Sequence, residues 1–407
     1  METSLSPFAS LLSNVFAGLY VLMIFVAPVV LGVLCFQAYL LFKRNEFIHA
    51  QKTSVLEIRL PQELLKSPLA MELFLTALYQ TKGEGTWISR LVHGKVRPWF
   101  SLELVSDGGN VKFYIWTWSF WKQLIESQLY SQFPNIEVTE VEDYAAKFHY
   151  DPKKNDLFGT DFMLAKPDCY PIKSYADYLL DKDLDEENKI DPMTPVLECL
   201  GSLRQGEQAW IQIIVRAHKA EAPKHGGKWG EKADWTDGAK HEIDKIKNKD
   251  TQQVESIKLT GLSLTKGEKD KIEAIERNIS KIPFDCGIRM IYLADKGAWS
   301  DMSLAGLNGS FKQYNAGHLN SFKSTHSTDF DYPWQDWTGK KLLHKKHHML
   351  EHYQHRHFFH APGAGHKFVM NTESLATIYH FPGKVAHGGA VRRVEAKKAE
   401  PPANLPI

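Results

Sequence analysis

From Val15 to Phe42 the chain reads VFAGLYVLMIFVAPVVLGVLCFQAYLLF, and no charged residue occurs between Glu2 and Lys43. As a helix this segment is about 42 Å long at 1.5 Å per residue, and about 20 apolar residues suffice to cross a bilayer's hydrocarbon core. In lipid its backbone polar groups find partners only as a helix, which Pro28 is expected to bend. A signal peptide would need a basic start and an apolar stretch of about 7–15 residues; neither is present. The pattern predicts a transmembrane anchor within residues 1–50, running from Val15 to Phe42 and ended by Lys43 and Arg44. Those two basic residues, against Glu2 alone on the other flank, place the N-terminus outside and the body in the cytoplasm. The expectation is a single-pass protein of the inner (cytoplasmic) membrane.

Beyond the anchor the period changes. Ser54–Leu60 alternates as a half-buried strand, and Ser67-Pro68 opens a helix through MELFLTALYQ, with Ser as cap and Pro in the first turn. Trp99–Val105 and Val111–Thr117 flank the Asp107-Gly108-Gly109-Asn110 turn of a β-hairpin. Ser119 is expected to cap a helix through Tyr130, and Ile136–Val141 closes as a strand. The order βαββαβ over 51–150 is the split-βαβ, ferredoxin-like arrangement.

A second pass over 151–390 repeats this order with more decoration. Its strands are expected at Phe158–Leu164, Ala209–Ala217, Gly287–Ala294 and Phe368–Asn371 or nearby, with helices at MTPVLECLGSL and Met302–Tyr314. A polar insertion, 218–284, interrupts the hairpin and carries 14 Lys/Arg against 12 Asp/Glu. Within it Thr265 and Glu268 have capping-box spacing, and Ile272, Ile275, Ile279 and Ile282 form one narrow apolar seam. The fold class is therefore α+β: an N-terminal transmembrane helix and two ferredoxin-like units, the second with a helical insertion.

Composition changes this picture little. The 407 residues are 43% hydrophobic and 24% charged, with a net charge of +1, which leaves no global attraction for nucleic acid. Cys35 lies in the anchor, and Cys169, Cys199 and Cys286 have no CxxC spacing. That argues against a disulfide framework and fits a reducing compartment.

Candidate chemistry is sparse. There is no GxxxxGK[ST] phosphate loop, GxGxxG, GxSxG or HExxH, so no catalytic residue and no cofactor is expected. The exception is the basic segment 338–360, which holds HKKHHMLEHYQHRHFFH with seven of the eighteen histidines. On a helix His344, His348, His352 and His355 fall broadly on one face, and i, i+4 histidines can chelate a metal such as zinc. Lys340, Lys341, Lys345, Lys346 and Arg356 oppose that. A basic amphipathic helix contacting anionic lipid, acidic protein or nucleic acid is the stronger reading. Trp116, Trp118, Phe120 and Trp121 are expected in the core or an interface.

Several stretches resemble a family of membrane-anchored proteins encoded by reduced-genome candidate-phylum bacteria. They include LEIRLP (Leu56–Pro61), KSPLAMELFLTAL (Lys66–Leu78), FSLELVSDGGNVKFYI (Phe100–Ile115), AWIQIIVRA (Ala209–Ala217) and FVMNTESLATIYHFPGKV (Phe368–Val385), continuing to RRVEAKKAEPPANLPI (Arg392–Ile407). In many members of that family the similar region precedes a type IV secretion or conjugation ATPase domain, whereas this chain ends at that point. The resemblance implies a non-enzymatic, membrane-anchored docking component of a type IV secretion-like or DNA-transfer machine, with the ATPase a separate subunit. It further implies that the extended tail 391–407 makes the partner contact through Arg392, Arg393, Lys397 and Lys398, with homo-oligomers expected by analogy with secretion motors. The alternatives are a membrane-tethered binder of nucleic acid or anionic surfaces and a metal-binding protein.

Overall fold

The structure, a computed structural model, describes residues 5–61, 66–182, 190–221, 232, 234–254, 264–330, 332–361, 363 and 365–383. The described parts of Met1–Gln51 and Lys82–Arg97 form one compact unit, and those of Lys52–Thr81 and Pro98–Ile407 form another.

The first unit contains helix α1, Leu5–His49. It extends beyond the Val15–Phe42 run at both ends, and Lys43 and Arg44 continue the helix past the apolar run. Lys, Arg and Glu are good helix formers, and Lys43 pairs with Glu46 one turn on at 2.7 Å. Within α1, Met23–His49 is long and apolar enough to cross a membrane and has none of its apolar window buried.

The second unit is α+β and is built on β1 (Thr53–Arg59), α2 (Pro68–Ala77), β2 (Phe100–Asp107), β3 (Asn110–Trp118), α4 (Lys122–Gln132), β4 (Glu137–Val141), β5 (Asn155–Leu164), α5 (Thr194–Gly201) and β6 (Glu207–Ala217). It continues with α6 (Trp235–Val254), α7 (Lys266–Ile279), β7 (Pro283–Asp295), α8 (Asp301–Ser310), β8 (Phe322–Thr325), α9 (Lys340–Gln354), β9 (Phe368–Asn371) and α10 (Thr372–Ile378). Helix α3, Trp87–Leu91, belongs to the first unit.

The strands form one nine-stranded sheet in the order β4-β1-β3-β2-β6-β7-β5-β8, with β9 also paired to β7. Every ladder is antiparallel. The sequence reading divides the body near residue 150, and the β2–β6 ladder, Phe100↔Val215 to Asp107↔Gln208, runs across that division. Leu102, Leu104, Phe113, Ile115, Ile211, Ile213, Ile288 and Met290 point to one face and build the main core, together with Phe74 and Leu75 of α2, Ile125 and Leu129 of α4, Leu197 and Leu200 of α5 and all of the buried apolar part of α10.

Local departures from expectation have local causes. Phe368–Asn371 is a strand, but it lies along the start of β7, and the edge position beside β5 is held by Phe322–Thr325. Ser119 does not cap α4; it starts a 3-10 turn, Ser119–Trp121, and its hydroxyl meets that of Ser54 at 3.0 Å. Ser67 makes no side-chain cap, although Pro68 does stand in the first turn of α2. The Thr265–Glu268 capping box is present, and Ile272 and Ile275 of α7 meet Ala239 and Ile243 of α6 in a small separate core. Ile282 lies past α7 and packs on the main core instead. Trp116, Trp118 and Trp121 are buried, and Phe120 is exposed. All four cysteines are free.

Candidate functional site

Alternation puts the other side chains of these strands on the opposite face of the sheet, where polar residues stand among buried apolar ones such as Trp116, Trp210 and Ile291. The ladders align the polar residues in one row. Thr139 lies opposite Glu57, Glu57 opposite Tyr114, and Tyr114 opposite Glu103. Glu103 is then opposite Gln212, Gln212 opposite Arg289, Arg289 opposite Asp161, and Asp161 opposite Thr325. Five of these residues, Tyr114, Glu103, Gln212, Arg289 and Asp161, are buried. A second polar pair, Arg216↔Asp285, lies further along β6 and β7.

The C-terminal end of α9 and the turn after it cover the middle of this row. Gly287 of β7 makes room for the cover: a Cβ there would stand 2.2 Å from the Phe358 ring. Arg356, fully buried and with a left-handed φ of 52°, reaches Glu103 through two parallel contacts, Nε to Oε1 at 2.9 Å and Nη2 to Oε2 at 3.0 Å. Its Nη2 also donates to Asp143 Oδ1 at 3.0 Å, its Nη1 pairs with Asp143 Oδ2, and Nη1 donates to the Gln354 carbonyl at 2.7 Å. Ser101 Oγ (2.7 Å), Gln212 Nε2 (2.9 Å) and Tyr144 OH (2.8 Å) complete the donors around Glu103. A guanidinium fork on a carboxylate is among the strongest polar contacts available. Burial alone would raise the Glu103 carboxyl, but the Arg356 charge and the hydrogen bonds outweigh it and hold the group below its ordinary value. Beside it, Arg289 Nε donates to Asp161 at 2.8 Å and Nη1 to the His357 carbonyl at 3.3 Å. The arrangement fixes buried charges and locks the α9 segment to the sheet.

Next to this network the sheet face opens into a cleft of about 520 Å³. Trp210, Tyr114, Tyr144 and Phe148 supply its aromatic surface, and Asp107, Lys112, Glu142 and Lys147 its charge. Tyr144 belongs to both features: its ring stacks on Tyr114 at 4.9 Å while its hydroxyl serves Glu103. The volume suits a small ligand or a short peptide segment, and the two cations balance the two anions.

The candidate residues of the sequence reading scatter. His344 and His348 sit on α9 with ring centroids 5.8 Å apart, and His348 and His352 are 3.7 Å apart. His355, past the helix end, stacks with His357 at 5.3 Å instead. Among the described residues no group of three His, Cys, Asp or Glu side chains is placed to hold a metal. His352 is buried; burial first, then His348 and Arg289, push its imidazole down to about 3, so it stays neutral. The charges of the basic segment are not all on its surface. Arg356 is neutralised inside, and Lys345 Nζ donates to the Ser327 and Asp329 carbonyls at 3.1 and 3.2 Å. Lys43, Arg44 and Phe42 lie in α1, as does Val15. Arg392, Arg393, Lys397 and Lys398 lie outside the described residues.

Sequence reasoning missed the polar row. Its signal was present: a charged or amide residue interrupts each of several otherwise apolar strands, as Glu103 does SLELV, Gln212 AWIQIIV and Arg289 GIRMIYL. Such residues are rarely buried without partners, so they mark a polar network even before the partners are known.

Residues 43–388 match the model of a family described as Domain of unknown function (DUF8128). The chain belongs to the DUF8128 family. In this member the DUF8128 match takes in the whole sheet, the covering α9 segment and the cleft, and begins within α1 at Lys43. Comparison with curated proteins gives no match.

Proposed function

We propose that this DUF8128 protein is a membrane-anchored, non-enzymatic docking component that recruits a separate ATPase in a type IV secretion-like or DNA-transfer machine. The observation that carries the anchoring is the Met23–His49 segment, long enough to cross a bilayer and with none of its apolar window buried. With Lys43 and Arg44 on the inner side the body stands in the cytoplasm, at the inner membrane. The body is read as two ferredoxin-like units, supported by the order β4-β1-β3-β2 followed by its mirror, β6-β7-β5-β8. Paired buried charges on the polar face favour a stiff platform, and the cleft at Trp210, Lys112 and Lys147 is the docking point on it. The connection to a motor rests on the family resemblance of the quoted segments.

The test is a pull-down of the full chain in detergent from its native host, followed by mass spectrometry. A stoichiometric partner with a phosphate-loop ATPase domain is expected, and Lys112→Glu with Lys147→Glu, or deletion of 391–407, should weaken its retention. Retention of no stoichiometric protein would end the docking reading.

A second reading has its own observation. Trp334 and Trp337 are 60% and 86% exposed, Tyr332 stacks on Trp334 at 4.4 Å, and Lys340, His344, His347 and His348 are exposed just beyond. Exposed aromatic rings next to a basic segment suit single-stranded nucleic acid or an anionic surface. Binding of that kind falls steeply with salt; salt-independent binding, or none, would dispose of it.

A further inference from the structure

The first unit holds a segment that its own packing leaves unexplained. Residues 82–97 leave the body's chain path and return, closed by Arg97, whose Nε lies 3.4 Å from Glu84 Oε2 and whose backbone N–H donates to Glu84 Oε1 at 3.3 Å. At the tip is α3, Trp87–Leu91, capped by Thr86, whose hydroxyl oxygen accepts from the Ser89 N–H at 3.2 Å. None of its residues is buried. Yet Trp87, Ile88, Leu91 and Val92, spaced i, i+1, i+4 and i+5, share one helix face, and Trp87, Ile88 and Val92 are 63%, 45% and 48% exposed. Thr86, Arg90 and His93 take the other face.

The position of this apolar face decides what covers it. The segment rests on α1 at Gly94, whose φ is +59° and where a Cβ would stand 2.2 Å from the Lys43 carbonyl oxygen and 2.8 Å from Arg44 N. Lys43 and Arg44 are the first charges after the apolar run, so they lie where a spanning helix leaves the hydrocarbon for the headgroups. Trp favours that level, and a short amphipathic helix with cations beside it can lie in the interface plane. Arg90 and Lys95 are exposed around α3 and supply those cations.

We infer that residues 86–95 are a second membrane contact: an interfacial foot whose Trp87, Ile88 and Val92 enter the headgroup and upper acyl region of the leaflet in which α1 ends. The inference rests on α1 crossing the bilayer, and goes beyond it by assigning the lipid-facing role to a segment outside the span. Its effect is to fix the height and rotation of α1's exit, because one helix alone can slide and turn in the lipid.

The test uses the full chain in phosphatidylcholine–phosphatidylglycerol liposomes doped with a lipid whose acyl chain carries a diazirine, followed by photolysis and peptide mass spectrometry. Label is expected on α1 and on 86–95. The Trp87→Ser, Ile88→Ser, Val92→Ser variant removes only exposed side chains; it should lose the label on 86–95 and keep that on α1. Label on α1 without label on 86–95 in the parent would overturn the foot and leave the anchor standing. Unchanged label on 86–95 in the variant would also overturn it, and absence of label from α1 would remove the anchor and the foot together.

Discussion

Replacing Arg356 by Met tests whether the buried charges act as described. Met keeps most of the side-chain length and carries the same left-handed backbone cost, so the change isolates the charge. Glu103 would then be a fully buried carboxylate without a counter-ion, with Asp143 nearby. Removing one partner of a buried pair costs about 3–5 kcal/mol. The pH dependence is more diagnostic than the size. In the parent the Glu103 carboxyl lies below its ordinary value, so its contribution is present above that ordinary value and is lost as pH falls through the folded one. In the variant only the Ser101, Gln212 and Tyr144 hydrogen bonds still oppose burial, so the carboxyl rises and acid becomes stabilising. With about 1.36 kcal/mol per proton per pH unit, going from pH 7.5 to 5.5 should recover up to about 2–3 kcal/mol relative to the parent. The assay is urea unfolding of the full chain in detergent, followed by tryptophan fluorescence. Trp116 reports locally, its ring 5.7 Å from the Arg356 guanidinium. The double variant with Glu103→Gln should show a flat pH difference and be less destabilised than the two singles together by about 2–3 kcal/mol. An Arg356→Met loss under about 1 kcal/mol, or one equal at both pH values, would refute the reasoning.

Three further outcomes are expected. Asp168 accepts the Val369 N–H at 2.8 Å and is raised to about 6 by burial; its ionisation therefore costs stability as pH rises from the ordinary carboxylate range through 6. Asp168→Asn keeps the hydrogen bond and should exceed the parent by about 1–2 kcal/mol at pH 7.5 while matching it near pH 4, as measured by thermal unfolding across pH. Gly287→Val drives a side chain into the Phe358 ring and should cost about 1–3 kcal/mol, with faster amide exchange in 355–361 as its signature. Thr265→Ala removes the α7 capping box and should cost about 1 kcal/mol, seen as faster exchange in the first turn of α7.

The short-range features were legible in the sequence because their causes lie within a few residues. The Asp107–Asn110 turn sets its hairpin, Thr265 and Glu268 cap α7, and Ile272 and Ile275 mark its buried seam. Three kinds of feature were not legible. The edge strand Phe322–Thr325 is four residues with only Phe322 buried, too short to show alternation. The continuation of α1 past the apolar run to His49 was not legible, because charge stops a span but does not stop a helix. The polar row depends on register between strands about 100 residues apart in the chain, and Arg356 finds Glu103 across 253 positions. Read locally, Arg356 looks like one more surface cation among histidines; only the sheet turns it inward.

The β2–β6 ladder also has a consequence for synthesis. When Asp107 leaves the ribosome, β2 has β3 to follow as a neighbour on one side, but its other edge waits for residues up to Ala217. At about 5–20 residues per second those roughly 110 residues take about 5–20 s. Throughout that interval the nascent chain presents the strand FSLELVSD with one open edge, a template for another copy emerging from a neighbouring ribosome on the same message. Glu103 in its middle then has neither Arg356 nor Gln212, and a charged side chain within an open strand disfavours pairing with an apolar one.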